Sequence, residues 1–329
     1  MTIAITGITP SGTPHVGNYL GMLRPALRIA REHETLCFVS DLHALIKVRD
    51  PEAVRTRSRE LAAMWLAFGL DPSTTTLYRQ SDVPEICEAV WLLSCVTSKG
   101  ELNRAHAYKA AVAANADAGR DADAGITAGL YGYPVLMAAD ILSLGAELVP
   151  VGRDQAQHVE IARELARAFN AAYGEVLRVP EAAVDPGVAT VPGLDGRKMS
   201  KSYGNVIPLF AEPDELRRCV MRIVTDSRPP EEPKDPDDDT VFRLYREFAP
   251  PDDVRAMQAR YERGGIGYGE AKTALFEALD DTLRAPRARF RELMDEGSEL
   301  DRVLAAGAVR ARELAGVTVG RMRAAAGVA

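Results

Sequence analysis

Short apolar runs punctuate the first half of the chain. Residues 3–6, Thr35–Ser40, Thr76–Arg79 and Leu148–Val151 are brief and bounded by turn-forming or polar residues, which predicts four buried strands. Between them the apolar period becomes helical. Leu20, Leu23 and Leu27 recur at helix spacing, and Leu61, Met64, Trp65 and Phe68 share one face of a helix over 52–69. Residues 84–97 form a strongly apolar helix around Trp91, either core or a dimer seam, whereas Trp65 is expected in the core. Another helix is expected from Val135, with Pro134 near its first turn. Residues 110–124, rich in Ala and Asp, read as a mobile, solvated excursion. Beyond a helix over 211–223, residues 228–239 read as a solvated loop rich in Pro, Asp and Glu. From 240 onward the chain is almost all helical. Strands alternating with helices, then helices alone, predict an α/β fold followed by a helical region.

Composition narrows the class little. With 329 residues, 47% hydrophobic and 26% charged, the chain suits one large or two modest globular domains. No apolar run is long enough to span a bilayer, and Met1-Thr2-Ile3-Ala4-Ile5 lacks the look of a signal peptide, so a cytoplasmic protein is expected. A net charge of −7 argues mildly against non-specific nucleic-acid binding. Cys37, Cys87, Cys95 and Cys219 form no Cys-x-x-Cys pair; reduced, packed thiols are expected, and no metal site. Arg284, Arg287, Arg289 and Arg291, and later Arg310, Arg312, Arg321 and Arg323, read first as solvated faces, with an RNA-facing role as the lesser reading.

The candidate chemistry gathers at strand ends. After the first strand comes Gly7-Ile8-Thr9-Pro10-Ser11-Gly12-Thr13-Pro14-His15-Val16-Gly17-Asn18, then a helix. A strand, a glycine-rich turn and a helix N-terminus make an anion site, because free backbone amides point outward there. His15 and Asn18 can donate to phosphate oxygens, and Gly17 lets a nucleotide approach the backbone; a plain helix cap with a surface His is the alternative. Asp41 and His43 follow the second strand, where open α/β sheets bind ligands, although Asp41 as a helix cap and His43 as a core group fit equally. Asp140 is a lone carboxylate in an apolar helix and needs a partner, structural or ligand. Helical spacing puts Met137, Asp140 and Ile141 on one face, with Tyr133 a turn away. After the fourth strand, Gly152-Arg153-Asp154-Gln155 opens a helix; Asp154 can accept from ribose hydroxyls while also capping. His158 and Glu160 continue that helix and read as structural, and Lys109 is a further candidate to reach a nucleotide. Last, Lys198-Met199-Ser200-Lys201-Ser202 sits among Gly193, Gly196 and Gly204, a loop offering two compact cations to a polyphosphate, or else a solvated basic turn.

Taken together these segments resemble the bacterial type of tryptophanyl-tRNA synthetase, a class I aminoacyl-tRNA synthetase. His15–Asn18 stands where that class carries its HIGH motif, and Lys198–Ser202 matches its KMSKS loop. The Asp41-x-His43 turn, the Met137–Leu142 helix, Gly152–Gln155 and a C-terminal Glu299–Leu304 helix extend the likeness over nearly the whole chain. The Met-Ala-Ala-Asp-Ile-Leu helix separates it best from the tyrosyl relative. The resemblance implies a doubly wound parallel, Rossmann-like nucleotide-binding sheet with an α-helical C-terminal domain. It implies a catalytic domain over 1–205, a helical anticodon-reading domain over 206–297, and a C-terminal helix, about 298–329, returning to the first.

The activity implied is ATP-dependent activation of L-tryptophan and its transfer to tRNA(Trp) by a homodimer, with Mg²⁺ accompanying ATP and no dedicated metal cage. His15, Asn18, Lys198 and Lys201 would be the catalytic donors. Thr9, Pro10, Ser11, Gly17, Asn18, Gly152, Arg153, Asp154, Val191 and Lys198 to Ser202, including Met199 and Ser200, would contact ATP. Asp140, Tyr133, Met137, Gln155 and His43 would hold tryptophan, with Asp140 accepting from the indole N–H. Thr9, Arg153 and Ala111 depart from the family pattern, which commonly has Gln, an acidic residue and Lys there. A tyrosine ligase or a non-catalytic paralogue that binds RNA or senses tryptophan are the competing readings.

Overall fold

The computed structural model describes residues 2–152, 156–184, 191–295 and 299–329. Five parallel strands form one sheet: β1 Ile3–Ile8, β2 Glu34–Val39, β3 Thr75–Arg79, β4 Leu148–Val151 and β5 Glu181–Val184. Their order is β3-β2-β1-β4-β5, so the chain steps outward twice and then crosses to the other side of β1. Strand β1 runs in register with β2 from Ile3↔Glu34 to Ile8↔Val39, and meets β4 at Ala4↔Leu148. The order reverses between β1 and β4, and the crevice beyond their carboxyl ends is where such sheets take ligands. The doubly wound expectation holds. Strand β5 was not expected: four residues at an edge, half of them alanine, carry no alternation to read.

The helices cover both faces. Val16 to Ile29 is one helical run, made of α1 (Val16–Asn18), a π-turn over Tyr19–Leu23 and α2 (Arg24–Ile29). Helix α3 is Asp41–Ala44, and α4, Pro51–Ala67, starts where the Asp50 side chain accepts from Glu52 N–H. There follow α5 Glu85–Ser94, α6 Lys99–Arg104, α7 His106–Asp117, α8 Ala128–Leu142 and α9 Ala156–Tyr173. The C-terminal region holds α10 Pro213–Met221, α11 Thr240–Phe248, α12 Pro251–Arg263, α13 Tyr268–Met294 and α14 Glu299–Ala326. One core cluster joins α2, α4 and α10 to α13; Trp65 lies there, fully buried. The other joins the opposite sheet face to α5, α8, α9 and the second half of α14. Helix α14 crosses β3 so closely that a Cβ on Gly307 would stand 1.9 Å from the Leu77 carbonyl oxygen.

Several expectations need correction. Alanine is the best helix former, and it makes α7 out of much of the stretch read as a solvated excursion. The turn after it is held in place, because Asn115 Nδ2 donates to the carbonyls of Ala122 and Ala124 at 2.9 Å each. Helix α8 begins at Ala128, capped by the Thr127 hydroxyl, and carries Pro134 in its interior rather than its first turn. The loop over 228–239 is not simply solvated: Lys234 is buried, and its ammonium donates to the carbonyls of Pro229 (2.8 Å) and Glu232 (3.0 Å). Cys87 and Cys95 are exposed, not packed; only Cys37 of the four thiols is buried. Most arginines of the two runs lie on the surface as expected, among them Arg289 with Glu292 and Glu299 and Arg312 with Glu85, but Arg287 is buried and paired with Asp280 at 3.0 Å. Among the described residues no helix is long and apolar enough to cross a membrane.

Candidate active site

Two segments separated by almost two hundred residues meet at the carboxyl end of β1. The chain after the lysine loop runs against the early turn: Val16 N–H donates to Ile207 O (2.9 Å), and Leu209 N–H to Pro14 O (3.0 Å). This pairing brings Met199 over the first helical turn, where Gly17 N–H donates to the Met199 Sδ at 3.2 Å. The Lys201 chain lies on Gly12, whose added Cβ would stand 2.8 Å from Lys201 Cδ. The loop is shaped by Asn205: its Oδ1 accepts from Ser200 N–H (2.8 Å), while its Nδ2 donates to Lys198 O (3.1 Å) and Asp195 Oδ1 (2.6 Å). Met199 N–H donates to Val191 O at 2.8 Å, which ties Val191 to the same loop. Gly204 closes the short 3₁₀ turn over Lys201–Tyr203 at φ 62°, a left-handed conformation that suits glycine.

Burial sets the charges here. His15 is buried, and burial with the nearby Lys201 ammonium pushes its imidazole down to about 4. It is therefore neutral at pH 7, a hydrogen-bond donor or acceptor and not a cation, and its Nδ1 has no partner among the described residues. Burial, and then Arg57, lower Lys201 from the usual lysine range, while Glu60 opposes them. Asn18 Oδ1 accepts from His15 N–H (3.1 Å), which fixes the amide and leaves Nδ2 as its donor. Thr9 and Ser40 share a hydroxyl hydrogen bond of 2.9 Å, linking the end of β1 to the end of β2. Pro10 is buried, and Ser11 and Gly152 follow the carboxyl ends of β1 and β4. Ser202 is exposed in the lysine loop, and Lys109 is exposed on α7.

The second half of the site is built around Asp140, a carboxylate only 1% exposed on the apolar face of α8. Its neighbour Ile141 is buried and Met137 half-buried. Gln80 Nε2 donates to both carboxylate oxygens, at 2.7 and 2.9 Å, and His43 Nε2 lies 3.1 Å from Oδ2. Burial pushes the Asp140 carboxyl up, against the hydrogen bonds from His43 and Gln80 that pull it back; Asp41 adds to the rise. Tyr133 stands edge-on to the His43 ring at 6.3 Å, and its hydroxyl meets His158 Nε2 at 2.8 Å. Asp41 is a structural tie: its carboxylate accepts from Leu42 N–H (3.1 Å), Ser81 N–H (3.0 Å) and the Ser81 hydroxyl. Arg153, Asp154 and Gln155 lie outside the described residues. Gln80 was missed, although it directly follows β3, the position that drew attention to Asp41 and His43 after β2. Among the described residues no group of three or more His, Cys, Asp or Glu side chains is placed to hold a metal ion.

The arrangement sets neutral and cationic donors around the turn after β1, and a buried carboxylate acceptor on α8. The family description "tRNA synthetases class I (W and Y)" matches residues 1–284. A protein of Pseudomonas aeruginosa named tryptophan–tRNA ligase is 51% identical over 332 aligned residues, 99% of this chain and 74% of its own length. One of Xylella fastidiosa with the same name is 54% identical over 328 residues, 98% of this chain and 75% of its own. The crystal structure of the Campylobacter jejuni tryptophanyl-tRNA synthetase, complexed with ADP and tryptophan, superposes with a TM-score of 0.89 at 38% identity, covering 99% of this chain and 100% of that one.

Proposed function

The chain belongs to the class I tRNA synthetases of the tryptophan and tyrosine group, and from that membership we propose how its site works. It is an ATP-dependent ligase that activates L-tryptophan as tryptophanyl-adenylate and transfers it to tRNA(Trp), releasing pyrophosphate and then AMP. In the first step a tryptophan carboxylate oxygen attacks the α-phosphorus of ATP, and the bond to the β-phosphate oxygen breaks. The carboxylate is already ionised at neutral pH, so no general base is needed. Catalysis is then positioning plus stabilisation of charge on the leaving pyrophosphate. In the second step a hydroxyl of the terminal tRNA ribose attacks the acyl carbon, and AMP leaves.

The reading gives Lys198 and Lys201 the pyrophosphate charge, with His15 and Asn18 as neutral donors. Its support is the meeting of the Gly17 amide, Lys201 and His15 at one helix N-terminus. ATP would also meet Thr9, Pro10, Ser11, Gly17, Gly152, Val191, Met199, Ser200 and Ser202, together with Arg153 and Asp154. Mg²⁺ enters with the triphosphate as part of the substrate. Asp140 would take the indole N–H, with His43, Tyr133, Met137 and Gln155 around the amino acid. The single observation that carries the choice of tryptophan is the Asp140 carboxylate, fully buried yet kept as an acceptor by two donors. Indole N–H only donates, and a phenyl ring would bring no donor to the carboxylate's remaining lone pairs.

Residues 1–205 would be the catalytic unit and 206–297 the anticodon-reading unit, with α14 returning to β3 and α5. A homodimer is favoured by the outer face of α5, where Trp91 is 71% exposed between the exposed Cys87 and Cys95. Exposed free thiols also suit a reducing cytoplasm. The test of the activity is exchange of labelled pyrophosphate into ATP with each amino acid in turn. Exchange with tryptophan alone is expected; selective exchange with tyrosine, or tryptophan binding without any exchange, would replace this reading by one of its competitors.

A further inference from the structure

Gln80 has no solvent exposure, and every polar atom of its amide is engaged. Its Oε1 accepts from Leu42 N–H at 3.1 Å, in the first turn of α3. Its Nε2 faces the two oxygens of Asp140. The amide cannot turn over: a flip would set NH₂ against a main-chain N–H, and a carbonyl oxygen against a carboxylate. The direction of this chain is thus fixed at its far end by backbone, and it terminates on Asp140 as an acceptor. His43, on the same short helix, reaches Oδ2 from another side.

Resting on the tryptophan reading of this site, we propose that Gln80 is a positioning residue for amino-acid selection: its backbone-oriented amide holds Asp140 as an ionised acceptor aimed at the indole N–H. The groups facing Asp140 leave this task to few side chains. From α3 come His43 and the Asp41 carboxylate, which repels a second negative charge. From β3 comes the Tyr78 phenol, buried, without a hydrogen-bond partner among the described residues and kept neutral by burial. From α5 comes the Cys87 thiol, raised by partial burial and by Asp140 itself. Among the described residues Gln80 is the amide donor that compensates the buried carboxylate. Without it the protonated acid gains, and a protonated Asp140 is a weaker acceptor for the indole, with one oxygen turned into a donor.

The test is pyrophosphate-exchange kinetics from pH 5.5 to 9 on wild type, Gln80→Met, Gln80→Glu, Asp140→Ala and the Asp140→Ala/Gln80→Met double variant. The substrates are tryptophan and 3-benzothienylalanine, in which sulfur replaces the indole N–H. Losing a charge-assisted hydrogen bond corresponds to about a tenfold to hundredfold fall in kcat/KM for tryptophan. The expected Gln80→Met phenotype is that loss, mainly in the KM for tryptophan, with the KM for ATP unchanged. It is deepest at low pH and recovers as pH rises, since the carboxyl must lose its proton to form the charge-assisted bond. Discrimination against the sulfur analogue falls in parallel, and the Met change adds nothing once Asp140 is gone. Gln80→Glu keeps the acceptor for Leu42 N–H and the side-chain volume, so it decides the matter if the Met variant does not fold; its paired carboxyls should shift the profile in the same direction. A pH-independent loss, equal losses on both amino acids, or an additive effect in the Asp140→Ala background would overturn the proposal. If Asp140→Ala itself keeps discrimination, the tryptophan reading fails; if Asp140→Ala loses it and both Gln80 variants stay silent, only the Gln80 role fails.

Discussion

Replacing Asp140 by alanine separates a selective pocket from a structural hydrogen bond. The carboxylate is 1% exposed and receives Gln80 Nε2 at 2.7 and 2.9 Å and His43 Nε2 at 3.1 Å. Its removal strands the buried Gln80 donor, at a cost of about 1–3 kcal/mol. It also relieves the burial of a charge, which costs several kcal/mol in its own right. These oppose, so the fold should survive. The sign with pH follows from the raised carboxyl: the folded state binds that proton more tightly, so wild type is penalised above its folded value and gains stability as pH falls through it. The variant lacks this dependence and compares best with wild type at neutral and alkaline pH. Tryptophan loses more. The indole N–H forfeits a charge-assisted bond of about 1.5–3 kcal/mol and is itself left buried without an acceptor, for a total of roughly 3–5 kcal/mol. That corresponds to about a hundredfold to several-thousandfold lower kcat/KM for tryptophan, with the KM for ATP unchanged. The assay is pyrophosphate exchange at varied tryptophan and varied ATP, with urea melts at pH 5 and 8. Equal kinetic losses on both substrates, with a collapse in stability at neutral pH, would refute the assignment and leave Asp140 as a structural residue.

Other consequences follow from the same geometry. Lys201→Ala should slow adenylate formation in single-turnover quench experiments while tryptophan affinity stays near wild type; an unchanged activation rate would remove Lys201 from the chemistry. His15 has its imidazole pushed down to about 4, so the stability it contributes is full above about 6.5 and is lost as pH falls through about 4. Wild type should therefore lose about 3 kcal/mol against His15→Gln between pH 7 and 4 in denaturant melts; a difference that does not change with pH would mean the imidazole takes its proton as readily in the fold as in the unfolded chain. Trp91→Asp should halve the mass seen by light scattering without loss of helical circular dichroism, and a variant still dimeric would move the interface off α5.

Much of this site could be read from residue order. Strand ends announced themselves by short apolar runs ending in Gly7-Ile8-Thr9 and Ser40-Asp41, and the lysine loop by its string. Asp140 stood out because a carboxylate amid Ala, Ile and Leu demands a partner. That partner stayed hidden. Gln80 is neutral and lies sixty residues from Asp140, and the bond that orients its amide, from Leu42 N–H, depends on β2 and β3 lying side by side. The exposure of Trp91 and Cys87 was equally hidden, since an apolar helix has the same composition whether it faces a core or another protein. Helix α7 went unread because Asp and Gly drew attention from the alanines that decide it. The short edge strand β5 had no period to detect. Asn205, which shapes the lysine loop through three hydrogen bonds, sits just outside the motif.

Hydrogen–deuterium exchange on the full chain with MgATP and with tryptophan addresses the convergence of the two phosphate-binding segments most directly. MgATP should slow exchange at the amides of both the early turn around Gly17 and the Lys198–Ser202 loop, while tryptophan alone should slow those near His43, Gln80 and Asp140. Protection by MgATP of only one of the two phosphate segments, or of neither, would contradict the shared site.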